Sequence, residues 1–252
     1  MEYSVIIPAY NEEARITSTL TQILGFMKSF SGEFEIIVVD DGSGDKTVEV
    51  VTNYSKDHPE ISLVKNPHKG KGFAVRSGVL ASRGKYVLMA DADMATPIEE
   101  LKRLAVWVSD HDFDVVVSSR EGVGAKRQNE PLIRHLMGRV FNLIIRILTG
   151  LGIQDTQNGF KLFKGDEARK IFGGMILFGP NTPDLKNPRV SAFDVEVLMI
   201  AKRHGYKIKE VPITWTYVPT TRVNLFRDSF LNLWDVLRIK FNDMRGKYGK
   251  QK

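Results

Sequence analysis

The sequence predicts an α/β fold in which helices flank a mostly parallel β-sheet. Short apolar segments alternate with amphipathic segments over the first 118 residues, as expected for successive strand–helix–strand units. Polar residues follow several of the apolar segments, where the carboxyl ends of parallel strands meet. The chain has 252 residues, of which 42% are hydrophobic and 26% charged, and these values are typical of a globular protein with a buried core.

The elements of the first half follow from this alternation. Apolar runs predict strands over residues 5–7, 36–39, 61–64, 86–90 and 115–118. Amphipathic periodicity predicts helices over residues 12–30, 45–56, 72–82 and 97–109. Three polar loops, at residues 8–11, 40–43 and 91–93, should therefore share one edge of the sheet.

The second half is less regular. We predict a helix with a broad apolar face at about 131–149, a Gly/Pro/Asn-rich loop at 173–188 and a last helix at about 224–245. The basic tail after this helix is expected to fray. We expect residues 1–223 to form the main domain, including the 131–149 helix, and residues 224–252 to form an amphipathic helix and tail.

Composition limits the partners and the chemistry. The net charge of +6 and the pI of about 9.4 favour anionic partners, but they do not choose among nucleic acid, acidic lipids and phosphorylated substrates. The absence of cysteine excludes disulfides, thiol nucleophiles and cysteine-ligated zinc, and it fits a reducing compartment. No signal peptide is predicted, and the longest apolar stretch, at 140–153, is too short for a membrane span. We therefore expect any membrane contact to be peripheral.

Asp91 and Asp93 follow the strand predicted at 86–90. Side chains two apart in an extended backbone point the same way, so both carboxylates can face one hard cation that also binds a diphosphate. Such a pair can equally cap the following helix. The residues alone leave both roles open, and the two other polar loops at the same edge favour a ligand site.

The loop after the second strand contains Asp40 and Asp41. Carboxylates at this position can accept hydrogen bonds from a nucleobase or a ribose, whereas Ser43 or Asp45 can cap the next helix. Capping is the alternative role for such a group of residues.

The first strand ends at Pro8 and Tyr10. The aromatic ring can flank a base whose edge bonds Asn11 or Glu12, and the alternative for Asn11 is a helix N-cap. Farther along, residues 65–72 form a basic loop in which glycines leave backbone N–H groups open to phosphate and Lys71 adds charge. Its spacing is not that of a P-loop, and a solvated basic loop is the alternative.

These motifs together resemble those of the family 2 glycosyltransferases of GT-A fold, which have a Rossmann-like sheet. The resemblance is closest to the group that contains the dolichyl-phosphate glucosyltransferases and mannosyltransferases. It covers nearly the whole chain and rests on residues 5–13, 39–43, 70–72, 89–93 and 155–161. The segments at 155–161 and 192–196 resemble the glucosyltransferase branch in particular.

The resemblance implies a base pocket formed by Pro8, Tyr10, Glu12 and Asp41, with Asp40 nearby. This pocket would bind the nucleotide of a nucleotide-sugar donor, and residues 1–223 would be the catalytic domain.

The resemblance also implies that Asp91 and Asp93 hold a divalent metal, magnesium or manganese, together with the donor diphosphate. Mannosyltransferases of the group commonly have a glutamine two positions after the second aspartate, where this chain has Ala95. That difference favours the glucosyltransferase branch, as does Thr96. Asp155 resembles a family acid close to the donor sugar, and a turn or cap role fits it as well.

Arginine presents a fork of donors that suits phosphate oxygens. We nominate Arg120 and Arg222 first, and for the acceptor phosphate also Arg127, Arg134 and Arg139. A solvated surface position is the alternative for each of them.

The function implied is inverting transfer of one sugar, glucose from UDP-glucose, to a polyprenyl or dolichyl phosphate at the cytoplasmic side of a membrane. A phosphomonoester is mostly dianionic at neutral pH, because its second pKa lies near ~6, and its attack needs no strong base. The alternatives are a GDP-mannose donor, a saccharide acceptor, or a non-catalytic nucleotide-sugar-binding module. Nucleic acid is not expected as a partner, and the oligomeric state is left open.

The helices predicted at 131–149 and 224–245 carry apolar residues interrupted by arginine and lysine. Such faces lie at a lipid interface or pack against a core or a partner subunit. We expect the two helices to face the membrane, because a polyprenyl acceptor must be reached in the bilayer.

Overall fold

The computed structural model describes residues 1–186, 191–219 and 225–249. Its strands are β1 (Tyr3–Ala9), β2 (Phe34–Asp40), β3 (Ile61–Lys65), β4 (Tyr86–Met89), β5 (Val115–Ser119), β6 (Lys126–Gln128), β7 (Lys161–Lys164), β8 (Ile208–Pro212) and β9 (Thr214–Thr216). Its helices are α1 (Ile16–Phe30), α2 (Thr47–Tyr54), α3 (Lys71–Ala81), α4 (Leu101–Ser109), α5 (Leu132–Thr149), α6 (Gly165–Gly173), α7 (Phe193–Arg203) and α8 (Leu225–Met244), with a 3₁₀ turn at Ile98–Glu100.

Among the described residues, the main sheet has seven strands in the order β3-β2-β1-β4-β7-β5-β8. Strand β7 runs antiparallel to β4 and β5, and the other neighbours are parallel. Strands β1 and β2 pair from Tyr3 opposite Phe34 to Ala9 opposite Asp40, so their carboxyl ends are level. The predicted mostly parallel α/β fold is confirmed, and the loops after β1, β2 and β4 lie at one edge.

Helices pack on both faces of this sheet because each has an apolar stripe. On one face, Leu20 and Ile23 of α1 join Leu104 of α4 in a core layer with the inward side chains of the strands. On the other face, α3, α6 and α7 form the second layer, to which α7 contributes Leu198. Two core layers thus hold the sheet edge and its loops in position.

Helices α5 and α8 pack on each other beside the second layer. Ile145 of α5 and Val236 and Ile239 of α8 are buried in that layer. Tyr248 is also buried, and its hydroxyl donates a hydrogen bond of 2.8 Å to Glu196. The tail is therefore anchored at Tyr248, so the expectation that it frays is wrong there, and residues 250–252 lie outside the described residues. The division at residue 223 stays a prediction.

Several elements differ from the sequence prediction. Helix α1 begins at Ile16 because the preceding residues turn toward the loop after β2, where the N–H of Glu12 donates to Thr47. Strands β7 and β8 and helix α7 were not predicted. Helix α7 is buried on every side and so lacks the amphipathic period that identifies a surface helix. Residues 174–186 form the predicted loop, and 187–188 lie outside the described residues.

Candidate active site

The loops after β1 and β2 are tied together by side chains. The hydroxyl of Ser43 accepts a hydrogen bond from the N–H of Asn11, and Asn11 Oδ1 accepts one from the N–H of Gly44, at 2.9 and 2.8 Å. Asn11 has a positive φ of 53° and precedes the start of α1 by several residues, so the N-cap alternative is wrong. Lys46 is the N-cap of α2, so neither Ser43 nor Asp45 occupies the cap position, although Asp45 accepts the N–H of Thr47 at 2.9 Å.

The carboxylates of Asp40 and Asp41 both accept backbone hydrogen bonds. Asp40 binds the N–H groups of the tight turn that follows it, where Gly42 has a positive φ of 75°. Asp41 binds the N–H groups of Lys69 and Gly70, at 2.9 to 3.0 Å. Burial raises the pKa of the Asp41 carboxyl despite these hydrogen bonds. Both groups hold the loops around the predicted base pocket in shape.

An aromatic stack lies beside these carboxylates. The rings of Tyr10 and His68 are 4.2 Å apart and nearly parallel, and His68 Nδ1 lies 2.8 Å from Asp41 Oδ2. Pro8 lies in β1 opposite Val39, next to this stack in the chain. The structure thus brings Tyr10 and Asp41, two of the predicted base-pocket residues, together through the ring of His68.

Asp91 and Asp93 lie just beyond β4, in the wall of a neighbouring cleft. Lys71 Nζ, from the first turn of α3, lies 2.5 Å from Asp91 Oδ1. Asp93 Oδ1 accepts the N–H of Ala95 at 3.1 Å, which is a local turn contact like the one the capping alternative describes. Burial and the nearby Asp91 carboxylate raise the pKa of Asp93.

A close backbone approach fixes the position of Asp91. A Cβ atom added at Gly159 would lie 2.1 Å from Asp91 Oδ2, so only glycine leaves room for the carboxylate. Burial lowers the pKa of Lys71, but three acids, first Asp91, then Asp194 and Asp93, raise it above the usual value. Asp194 of α7 in turn accepts a hydrogen bond from the buried Lys161.

The carboxylate pair fits a divalent cation that is shared with a ligand. Within the ranges that the structure describes, no group of three or more acidic or histidine side chains converges on one point. Magnesium and manganese commonly take one or two protein carboxylates and complete their shell with phosphate oxygens and water. Burial, and then the nearby Asp91 carboxylate, raise the pKa of Asp93, and a cation placed between the two carboxylates would offset both effects.

The lining of the same cleft includes two oriented arginines. Arg120 donates from Nε and an Nη to the two oxygens of Asp155, at 2.7 and 2.8 Å, and stacks on Trp215. Asp155 is fully buried, and although burial alone would raise its pKa, Arg120 holds the pKa below the usual value. Arg134 lies over the ring of Tyr217, with 4.9 Å from guanidinium carbon to ring centre.

Two other nominated arginines, Arg127 and Arg139, do not line the cleft. Arg127 binds the carbonyl of Arg120 and the carboxylates of Glu121 and Glu130, and Arg139 pairs with Glu121. Their charges are thus engaged by acids behind or beside the cleft wall, to which neither contributes. Arg222 lies outside the described residues.

The cleft lined by Asp91, Asp93, Arg120 and Arg134 has a volume of about 250 Å³. Its lining residues are Lys71, Asp91, Asp93, Ala95, Thr96, Arg120, Arg134, Gln157, Asn158, Gly159, Phe160, Trp215, Tyr217 and Val218. Sequence reasoning had not given a role to Trp215, Tyr217, Gln157 or Asn158. The two aromatic residues were visible only as alternating bulky residues in a short strand, a pattern that also suits an ordinary buried strand.

Comparisons with known proteins give one consistent match. The model of "Glycosyl transferase family 2" matches residues 4–172. A dolichyl-phosphate beta-glucosyltransferase of Dictyostelium discoideum is 37% identical over 96% of this chain and 75% of its own length. One from Trichomonas vaginalis is 38% identical over 87% and 65%, and the human one is 30% identical over 98% and 77%. The chain therefore spans between about two thirds and three quarters of these relatives.

Solved structures agree on the fold. A mannosyltransferase from Pyrobaculum calidifontis, in complex with GDP-Man and Mn²⁺, has a TM-score of 0.63 at 19% identity and covers all of this chain and 65% of its own. Glucosyl-3-phosphoglycerate synthase from Mycobacterium tuberculosis, in complex with UDP, has a TM-score of 0.63 at 20% identity over 95% and 80%. At these identities the likeness shows the fold, and it agrees with the predicted GT-A architecture.

Proposed function

The chain belongs to glycosyltransferase family 2, and from this membership we propose that it transfers glucose from UDP-glucose to a dolichyl or related polyprenyl phosphate. The observation that carries the proposal is a single cleft whose lining combines paired carboxylates and Lys71 with two oriented arginines. Such a cleft can bind two anionic groups at once, as transfer from a nucleoside diphosphate to a phosphate requires. The relatives carry the name of that activity.

Asp91 and Asp93 would hold a divalent cation together with the donor diphosphate, and Lys71 would add positive charge at the same end. When bound, the cation offsets the negative charge that builds on the departing nucleoside diphosphate. The carboxylate oxygens suit magnesium and manganese alike. The base would lie near Tyr10, Pro8 and Glu12, in the loops that Asp40 and Asp41 shape.

Arg120 and Arg134 would bind the acceptor phosphate, with Arg222 as a further candidate. Asp155 and Trp215 keep the guanidinium of Arg120 in one orientation, which lowers the cost of ordering it when the phosphate arrives. A phosphate oxygen attacks C1 of the glucosyl group, the bond from C1 to the donor phosphate oxygen breaks, and the electron pair leaves with UDP. The configuration at C1 is inverted, and the dianionic attacking phosphate needs no base.

The proposal includes peripheral attachment to a membrane. On α5, Leu132 and Ile147 are 85% and 73% exposed, and on the adjoining α8 Phe230 and Trp234 are 70% and 56% exposed. In the described part of the chain no helix is long and apolar enough to span a bilayer. Exposed apolar and aromatic side chains on neighbouring helices of a basic protein suit the headgroup region of an anionic membrane.

The side of the membrane is likewise proposed. A chain without cysteine fits a reducing compartment, so we propose the cytoplasmic face. Membrane contact through α5 and α8 would give the enzyme access to a phosphate at the membrane surface, while the nucleotide sugar would come from solution.

The test is a transfer assay on the purified protein. Incubation with UDP-glucose, a polyprenyl phosphate and Mg²⁺ or Mn²⁺ should give lipid-linked glucose by mass spectrometry, and Asp93→Ala should abolish it. Asp57→Ala, at an exposed carboxylate in the turn after α2, is the control and should keep activity. Product only with GDP-mannose would assign the donor differently. Product only with a saccharide acceptor, or none at all, would refute the proposed acceptor or the activity.

A further inference from the structure

The segment 155–159 connects two charged groups of the cleft. At its first residue, Asp155 pairs with Arg120 at 2.7 Å. At its last residue, Gly159 lies so close to Asp91 that an added Cβ would be 2.1 Å from the carboxylate. Gln157 and Asn158 therefore lie between these two contacts along the chain, and both line the cleft. If Arg120 binds one phosphate group and a cation held by Asp91 binds the other, the group transferred between them would lie beside these two side chains.

The orientation of the Asn158 amide is fixed by its neighbours. Asn158 Oδ1 accepts the backbone N–H of Phe160 at 3.2 Å and lies 3.4 Å from the hydroxyl of Thr96. Because a backbone N–H can only donate, the oxygen must face Phe160 and the NH₂ group must point the other way. Asn158 is 4% exposed, and among the described residues its Nδ2 has no hydrogen-bond partner.

Gln157, the residue just before Asn158, also has an amide nitrogen without an acceptor in the part of the chain that the structure describes. This nitrogen, Nε2, is shielded from bulk water. Its side chain as a whole is partly exposed, so rotation can turn the amide toward the cleft. Two adjacent buried amide donors without acceptors are unfavourable in the free protein, and a ligand that supplies acceptor oxygens removes that cost.

We infer that Gln157 and Asn158 donate hydrogen bonds to hydroxyl oxygens of the transferred sugar and thereby determine which sugar is accepted. This inference rests on the proposed function. The chemistry matches the position, because Arg120 at one end of the segment, and Lys71 with a cation held by Asp91 at the other, suit phosphates, whereas neutral amides suit uncharged hydroxyl groups. A site that offers buried donors also discriminates against a sugar that lacks the matching oxygen.

The test combines protein variants with modified donors. Gln157→Met keeps the length of the side chain and removes its donors, and Asn158→Leu does the same at the second position. We measure kcat/KM with UDP-glucose and with UDP-2-, 3-, 4- and 6-deoxyglucose. Each variant should lose on the order of tenfold with UDP-glucose. With one particular deoxy donor the variant and the wild type should be nearly equal, because the wild type has already lost that hydrogen bond.

A general structural defect gives a different pattern. It lowers kcat/KM by the same factor for every donor, and such uniform losses in both variants would overturn the inference. Binding of UDP alone, followed by calorimetry, should be unchanged, whereas weaker UDP binding in Gln157→Met would mean that the amide contacts the diphosphate and would also overturn it. Gln154→Met, at an exposed side chain of the same loop, is the matched control and should behave as the wild type.

The same variants distinguish a failure of the inference from a failure of the proposed function. If the wild-type protein binds UDP-glucose but transfers nothing to any polyprenyl phosphate, the proposed function fails. The inference is then judged by calorimetry alone, where Gln157→Met must weaken the affinity for UDP-glucose and leave that for UDP unchanged. Equal affinities of variant and wild type for UDP-glucose would refute the inference itself.

Discussion

Gly159→Ala should inactivate the enzyme without unfolding it. The new Cβ would lie 2.1 Å from Asp91 Oδ2, and contacts of this kind require more than 3.0 Å, so the carboxylate must move by about 1 Å. Gly159 has an ordinary backbone conformation, and the side chain of Asp91 can rotate away at the edge of an open cleft. A displacement of about 1 Å in a group that positions a substrate costs on the order of 100-fold in rate.

The assay is kcat/KM for sugar transfer at saturating metal, with thermal unfolding measured in parallel. We expect a loss of roughly 100-fold for Gly159→Ala and a higher metal concentration for half-maximal activity. Gly152→Ala is the control, because among the described residues no atom lies within 4 Å of its added Cβ. An inactive Asp91→Ala, together with a Gly159→Ala that keeps its activity within about threefold of the wild type, far short of the expected loss, would refute this reasoning. Activity would then not depend on the space that Gly159 leaves for Asp91.

Three further predictions concern the charge pair, the metal and the membrane face. Arg120 lowers the pKa of Asp155, so this ion pair stabilises the fold fully above the unfolded pKa of about 3.9 and progressively less as the pH falls toward the lower folded pKa. In denaturant titrations, Asp155→Asn should lose this part of the pH dependence of stability, together with roughly 3–5 kcal/mol of unfolding free energy. An unchanged profile of stability against pH would refute the role of the pair. Dialysis against a chelator should abolish sugar transfer, and added Mg²⁺ or Mn²⁺ should restore it. The restored activity should be lower in Asp93→Asn than in the wild type. Transfer that persists in the chelator would contradict a role for the metal. Trp234→Ser should weaken sedimentation of the protein with anionic vesicles. The control Val123→Ser should not weaken it, because Val123 is a 99% exposed loop residue outside α5 and α8. Equal vesicle binding by the two variants would exclude α8 as the membrane contact.

The first half of the fold could be predicted because local pattern and tertiary structure agree there. Strands β1 to β5 are apolar runs that end in polar loops, and α1 and α4 have one apolar stripe each. Strand β7 was missed because it is short and has lysine at both ends. The first of those lysines, Lys161, is fully buried only because Asp194 binds it from α7, a partner distant in sequence.

The sequence predicts the aspartates of the candidate site better than its arginines. Asp91 and Asp93 follow directly from a strand end, whose position the sequence reveals. Which arginines line the cleft depends on pairing partners that the sequence does not place. Arg127 and Arg120 look alike in the chain, yet Glu121 and Glu130 engage the first while Asp155 and Trp215 orient the second toward the cleft.

The anchoring of Tyr248 makes the second core layer depend on a residue that lies beyond α8. Glu196 is a buried carboxylate, and burial raises its pKa even though it accepts the N–H groups of Ile176, Leu177 and Phe178. A further hydrogen bond comes from the hydroxyl of Tyr248, which is 52 residues farther along the chain. Removing that hydroxyl leaves a buried acid with one donor fewer, at a cost of about 1–3 kcal/mol. A truncation made at the end of α8 would therefore destabilise a core layer whose other residues it leaves in place.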